Sequence, residues 1–364
     1  MKLYLIFVGN KFIYNKALKE YILRKIEQKF DFIDSIVYFK ESDNSLFLYL
    51  EQELNKTVKI IIITSKQNFS TIGKLICTAT SDNQVVKDNM LIPQKSEIFN
   101  DGSYLINHID SKINVIRIDE MKNMPEILMK NINKNKNKKI YLFEEDRESA
   151  ILLLQPIAQT YDVDIDIVEM IKGWLVINII SKKYGNITKF LSSSKKLLTK
   201  KIIDTDDLAY YIIDVLSKNN KKITFAESCT GGLLSYFFTS TNGASKILDG
   251  SLITYSNDLK ENWLAVGKNS LEKYGAVSDV VVKEMSEGAL DVSHADYSLS
   301  VSGIAGDGGA TEGKPVGTVY VGIRSKDKHE EIKLNLNGDR NYVQYQSVLY
   351  AVKYLLLIDK DMFF

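Results

Sequence analysis

Cysteine is nearly absent: Cys77 and Cys229 are the only two in 364 residues. Thiols so far apart make neither a disulfide scaffold nor a metal knuckle, and they suit a reducing, cytoplasmic compartment. Histidine is almost as scarce. His108, His294 and His329 have no mutual spacing that suggests a metal site. Charge imbalance is missing too. A net charge of +1 gives no electrostatic case for a nucleic-acid or membrane partner. No stretch approaches the length of apolar run that a spanning helix needs. The opening MKLYLIFVGNKF breaks at Gly9-Asn10-Lys11 and reads as a first buried strand, not a signal peptide. Neither a Gly-x-Gly-x-x-Gly fingerprint nor a P-loop occurs.

What is present is ordinary globular material, 45% apolar and 26% charged, in a chain long enough for two or three domains. The expected class is α/β and multidomain. Strand-like KLYLIFVG, SIVYFK and VKIIIITS alternate with helix-like stretches, which predicts a mostly parallel sheet over residues 1–135. The polar run at 131–140, NINKNKNKKI, reads as a linker. Residues 136–200 read as a small α+β unit with hairpin-like strands around Gly173. Residues 205–364 alternate again and predict an α/β/α sandwich, with Ser278 as a helix N-cap and a buried stripe on the last helix.

The chemistry concentrates in the last domain. At 224–237, TFAESCTGGLLSYF, a strand hands over to a helix through two hydroxyls, a thiol and two glycines. Glycines let backbone approach a ligand, and first-turn N–H groups carry partial positive charge. Ser228 is therefore a candidate nucleophile, with N–H groups near Thr230, Gly231 and Gly232 as oxyanion donors; a plain Ser/Thr cap is the bland alternative. No histidine sits in a motif-like setting to serve as base. In TYSNDLK, at 254–260, Lys260 could do so if burial lowers its pKa, and Tyr255 could relay the proton. Each taken alone also fits a surface lysine and a half-buried tyrosine. The run SVSGIAGDGGATEGKPVGTV carries five glycines between 303 and 313 after an apolar strand. Ligands usually bind at such strand ends, so Ser302, Gly303 and Gly306 are candidate substrate contacts, against a flexible surface loop. Arg340, in NGDR, suits a phosphate; a capping turn at Asp339 is the alternative.

These residues match a known pattern. AESCTGGLL, TYSNDLK, YGAVSDVVVKEM, ADYSLSVSGIAGDGG, KPVGTVYVGI and GDR together resemble, in order, the C-terminal domain of the CinA (competence/damage-inducible protein A) family over residues 205–358. The resemblance implies a nicotinamide-nucleotide amidohydrolase, which converts nicotinamide mononucleotide to nicotinate mononucleotide and ammonia in pyridine nucleotide salvage. It implies Ser228 as nucleophile, Tyr255 and Lys260 as its proton partners, Arg340 as a substrate contact, no cofactor and no metal. It also implies a homo-oligomer, such as a dimer, acting on a small nucleotide. Two positions depart from the family pattern: Ser302 stands where threonine is usual, and Asp307 stands where proline is usual. The alternative function is a regulatory or competence-related nucleotide-binding protein without catalysis.

The N-terminal segment resembles the family's molybdopterin-binding-like domain more poorly. After the first strand the family's Gly-Asp-Glu-Leu-Leu is replaced by GNKFIYN, and after the third its Gly-Gly-Leu-Gly-Pro-Thr run by SKQNFSTIG. Losing carboxylates there removes the metal ligands that ADP-ribose hydrolysis needs in some members. The purified protein is accordingly expected to leave ADP-ribose intact in the presence of a divalent metal. Hydrolysis at an ordinary enzymatic rate would refute that expectation.

Overall fold

The computed structural model describes residues 1–30, 32–130, 137–306 and 308–364. The chain forms two compact units, Met1–Asn135 and Lys136–Phe364. Among the described residues no helix is long and apolar enough to cross a membrane.

In the first unit, β1 (Lys2–Val8), α1 (Asn10–Tyr14), α2 (Lys16–Glu27), β2 (Ser35–Phe39), α3 (Ser45–Leu54) and β3 (Val58–Ser65) alternate as the sequence predicts. α4 (Phe69–Ala79) leads into a two-stranded ribbon of β4 (Gln84–Lys87) and β5 (Met90–Pro93). β6 (Ser96–Asn100), β7 (Ser103–His108) and β8 (Ser111–Ile118) complete a sheet of order β2-β1-β3-β8-β7-β6. β2, β1, β3 and β8 run parallel, while β7 and β6 are antiparallel. β3 is almost continuously apolar because both its faces are covered. Ile60 and Ile62 pack with Leu46, Leu50 and Phe69, and Ile61 and Ile63 with Phe12 and Ile22.

The second unit opens with β9 (Asn137–Phe143), α5 (Arg147–Thr160), β10 (Val163–Ile171), β11 (Trp174–Ser181), α6 (Ile187–Leu197) and β12 (Ile202–Ile203). These strands form a small sheet of order β10-β11-β9-β12. The stretch expected as a linker at 131–140 lies outside the described residues up to 136. Its remainder is not linker but the start of β9, because Ile140 is fully buried against α5 and α6.

The larger sheet follows: α7 (Leu208–Lys218), β13 (Ile223–Glu227), α8 (Leu233–Thr239), β14 (Ser251–Ile253), α9 (Asn257–Leu264), α10 (Lys268–Tyr274), α11 (Asp279–Ser293), β15 (Tyr297–Gly303), β16 (Thr318–Ser325), β17 (His329–Asn335), α12 (Arg340–Ile358) and α13 (Lys360–Phe363). The order is β14-β13-β15-β16-β17, with the first three parallel and the last two antiparallel. One face packs on α7, α8 and α12 through Ile212, Phe238 and Val352. The other packs on α9 and α11 through Leu264, Val281 and Met285, so the expected sandwich forms. Ser278 caps α11 by accepting from the Val281 amide. Tyr141, Phe143 and Trp174 of the small sheet enter the same core as α12. Lys353 of α12 is buried and donates to the Lys172 carbonyl at the β10–β11 turn, 2.7 Å away.

β13 is central and fully buried. The two strands that follow it, β14 and β15, lie on its opposite sides, so its carboxyl end is the crevice where open α/β sheets bind ligands. The helices beside that crevice meet at Gly288 of α11, where a Cβ would stand 2.0 Å from the Leu264 carbonyl oxygen at the end of α9. Gly288→Ala must push α9 away from α11. A loss of about 1–3 kcal/mol is expected from overpacking, read as a lower midpoint in urea with an unchanged slope.

Candidate active site

β13 ends in Glu227, and Ser228 extends its ladder by donating its amide to the Val301 carbonyl, 2.9 Å away. The chain then reverses. Gly231 donates to the Ser228 carbonyl and Leu233 to the Thr230 carbonyl, both at 3.1 Å. Gly231 and Gly232 have φ of +58° and +103°. A Cβ at Gly231 would meet nothing within 4 Å, so the requirement there is conformational rather than steric.

The first turn of α8 has no cap from its own Gly232. Glu227 supplies one. Its fully buried carboxylate accepts from the amides of Gly232 at 2.9 Å, Leu234 at 3.0 Å and Ser235 at 2.8 Å, and from the Ser235 hydroxyl. This corrects the expectation for both glycines: the Gly231 amide is taken by the Ser228 carbonyl and the Gly232 amide by Glu227, so neither is an oxyanion donor. The Thr230 amide has no partner among the described residues, and the Cys229 amide has none there beyond its own thiol. The Thr230 hydroxyl is likewise buried without a partner.

Lys260 arrives from α9, whose first turn is capped by Ser256. It is 1% exposed, so its ammonium group has almost no water to solvate it. Nζ donates to Ser228 Oγ at 3.1 Å, to the Thr254 carbonyl at 2.8 Å and to the Tyr255 carbonyl at 3.3 Å. Burial pushes its pKa below the ordinary lysine value. Three acceptors match the three donors of an ammonium. Once neutral, the amine has a lone pair to take the Ser228 proton. The neighbouring Cys229 thiol is driven the other way, to about 12, chiefly by burial. It stays protonated near neutrality and is a poor nucleophile.

The other expected residues separate into two groups. Arg340 and Gly306 come together: a Cβ on Gly306 would lie 2.8 Å from the Arg340 guanidinium. Arg340 is exposed and has no ion-pair partner among the described residues, while Asp339 caps α12 through the Tyr342 amide. Tyr255 and Ser302 are held apart from Ser228. The Tyr255 ring is 62% exposed, and its hydroxyl has no hydrogen-bond partner among the described residues, so only its carbonyl reaches Lys260. The Ser302 hydroxyl is buried and donates to the Ala276 carbonyl at 2.7 Å. Gly303 faces β16, where a Cβ would lie 2.6 Å from Val319. Asp307 lies outside the described residues.

Two residues given no role above take part. Glu227 was legible in part, as a lone acid ending an apolar strand before a helix with no cap of its own. Gln344 of α12 was not. It donates to the Cys229 carbonyl at 2.6 Å across 115 positions of sequence.

Residues 205–358 match the CinA C-terminal domain family. Among curated proteins, CinA-like proteins of Fervidobacterium nodosum and Thermotoga maritima are similar. The first is 42% identical over 149 residues, 41% of this chain and 36% of that protein. The second is 35% identical over 213 residues, 58% of this chain and 51% of that protein. The chain thus spans well under two thirds of the curated relatives it matches. A solved structure described as competence/damage inducible protein CihA from Agrobacterium tumefaciens is 33% identical. It covers 42% of this chain and 93% of that one, with a TM-score of 0.41.

The buried lysine has a thermodynamic signature. The fold disfavours its charged form, so between the folded and unfolded pKa values the unfolded chain binds more protons. Stability therefore rises with pH across that window, up to an unfolded value of about 10.4. Thermal melts of the wild type should show this rise, and Lys260→Met should flatten it. Parallel curves for the two proteins would mean that Lys260 titrates like an exposed lysine.

Proposed function

We propose that residues 205–358, which are a CinA C-terminal domain, hydrolyse the carboxamide of nicotinamide mononucleotide to nicotinate mononucleotide and ammonia. One observation carries the reading: Ser228 Oγ lies 3.1 Å from a buried lysine whose pKa is lowered. That is a nucleophile with its base in place.

In this reading neutral Lys260 takes the Ser228 proton as Oγ attacks the carboxamide carbon. The resulting oxyanion is held by the amides of Cys229 and Thr230, with the Thr230 hydroxyl as a further donor. The Lys260 ammonium then gives its proton to the leaving nitrogen, and ammonia departs from an acyl ester on Ser228. A water molecule, giving its proton to Lys260, attacks the ester, and Ser228 is released with the acid. Arg340, beside Gly306 and without an ion-pair partner among the described residues, takes the phosphate, where a guanidinium offers two parallel donors. Tyr255 acts through the carbonyl that holds Lys260, and its exposed hydroxyl is available to a bound substrate. Ser302 and Gly303 shape the strand end behind the glycine loop. No cofactor enters this scheme. A soluble nucleotide as substrate agrees with a cytoplasmic protein that binds neither nucleic acid nor membrane.

The experiment is ammonia release from nicotinamide mononucleotide by the wild type beside Ser228→Ala. Turnover is expected for the wild type, with a fall of about 10³-fold or more in the variant, since parts of one catalytic unit fail together. Saturable binding of the nucleotide without release of ammonia would replace the hydrolase with a sensor that keeps the pocket and performs no reaction.

A further inference from the structure

In the turn that presents Ser228, three successive carbonyls are held in two different ways. The Ser228 carbonyl accepts from the Gly231 amide and the Thr230 carbonyl from the Leu233 amide, both at 3.1 Å. The carbonyl between them, that of Cys229, has no main-chain donor among the described residues. Its donor is Gln344 Nε2 of α12, 2.6 Å away. The same peptide carries the Thr230 amide. A trans peptide is planar, and its C=O and N–H point in opposite directions. Whatever holds the Cys229 carbonyl therefore aims the Thr230 amide.

That peptide is also the one most able to rotate. Residues 228–231 form a β-turn closed by the Gly231 amide, and 229–230 is its central peptide. Turns of types I and II differ by a flip of this unit, and type II needs a positive φ at the third residue. Thr230 has a negative φ, so the turn keeps the unflipped form. The branched Thr230 side chain resists the flip. Cys229 is buried, and a carbonyl left there without a donor is costly, which would favour rotation if Gln344 were absent. Held as it is, the Thr230 amide faces away from α12. α12 and α9 cover opposite faces of the sheet, so the amide is turned toward the side from which Lys260 reaches Ser228.

We propose that Gln344 is a positioning residue: by holding the Cys229 carbonyl it keeps the Thr230 amide aimed as an oxyanion donor beside Ser228. Its part in the reaction rests on the hydrolase reading above, whereas the aim of the amide does not. Arg340 lies one turn earlier on the same face of α12. One helix face thus carries the group that grips the phosphate and the group that sets the donor. The two tasks separate kinetically, because a phosphate contact serves substrate and transition state alike, and an oxyanion donor acts mainly in the transition state.

The test joins kinetics to a spectrum that needs no turnover. Gln344→Met keeps the length of the side chain and loses its donor. In the full chain, kcat for nicotinamide mononucleotide is expected to fall about tenfold to 100-fold, with KM within about twofold of the wild type. Gln344→Glu has nearly the same shape and only accepts when ionised, so it should fall at least as far. Gln344→Arg offers N–H donors again and should recover most of the lost kcat. In protein labelled with nitrogen-15 threonine, the Thr230 resonance is the one lost in Thr230→Ser. It should move or divide in Gln344→Met, since a hydrogen bond on a carbonyl polarises the amide of the same peptide. A wild type that releases no ammonia would end the hydrolase reading and leave the spectrum to decide, a displaced Thr230 signal upholding Gln344 as the residue that aims the amide. An unmoved signal would overturn the proposal with or without turnover. So would wild-type kcat in Gln344→Met, or an equal loss in all three variants at position 344.

Discussion

One buried carboxylate sets the geometry on which the rest of the site depends. Glu227 ends the central strand and at once accepts three amides and a hydroxyl from the start of α8. A helix that begins directly after a buried strand exposes several amides to a dry interior, each costly if left unmade. By satisfying them from the strand side, Glu227 fixes how far α8 stands from β13. The chain between, 228–231, has to bridge that gap in one left-handed turn. Ser228 is presented at the crevice because there is no longer path open to it. Removing such a group leaves those amides without a partner, at about 1–3 kcal/mol for each that stays out of water.

The lysine side of the site follows a different logic. Lys260 is not paired with a carboxylate. Its partners are a hydroxyl and two carbonyls, which can hold an ammonium but do not lock it in that state as an acid would. Desolvation pulls toward the neutral amine and the carbonyl dipoles pull toward the cation. A group balanced between the two can both take and return a proton. Glu227, full of donors, and Lys260, full of acceptors, thus stand on either side of Ser228, one to hold shape and the other to hold charge.

How much of this the sequence revealed varied with distance along the chain. The α/β alternation, the Ser278 cap and the glycine turn after Ser228 were legible, since periodicity, capping chemistry and backbone freedom are local. Lys260 was legible only as a candidate, because burial of a lysine is a tertiary fact. The closure of Arg340 on Gly306, and of Gln344 on the Cys229 carbonyl, could not be read at all. Both depend on how α12 crosses the end of the sheet. Tyr255 shows the reverse error. A motif places it beside Lys260, yet the turn directs its ring outward and leaves only its carbonyl inside.

α12 touches both ends of the second unit. Near its start Arg340 meets Gly306 and Gln344 holds the turn after Ser228, while Lys353, farther along, is anchored to the small sheet's hairpin. The small sheet and the larger one also share a single apolar core. Order in the crevice and order in the hairpin are therefore one cooperative quantity. An anion that settles on Arg340 stiffens more than its own pocket, because residues on the far side of the unit cannot come loose without first releasing the helix it is bound to.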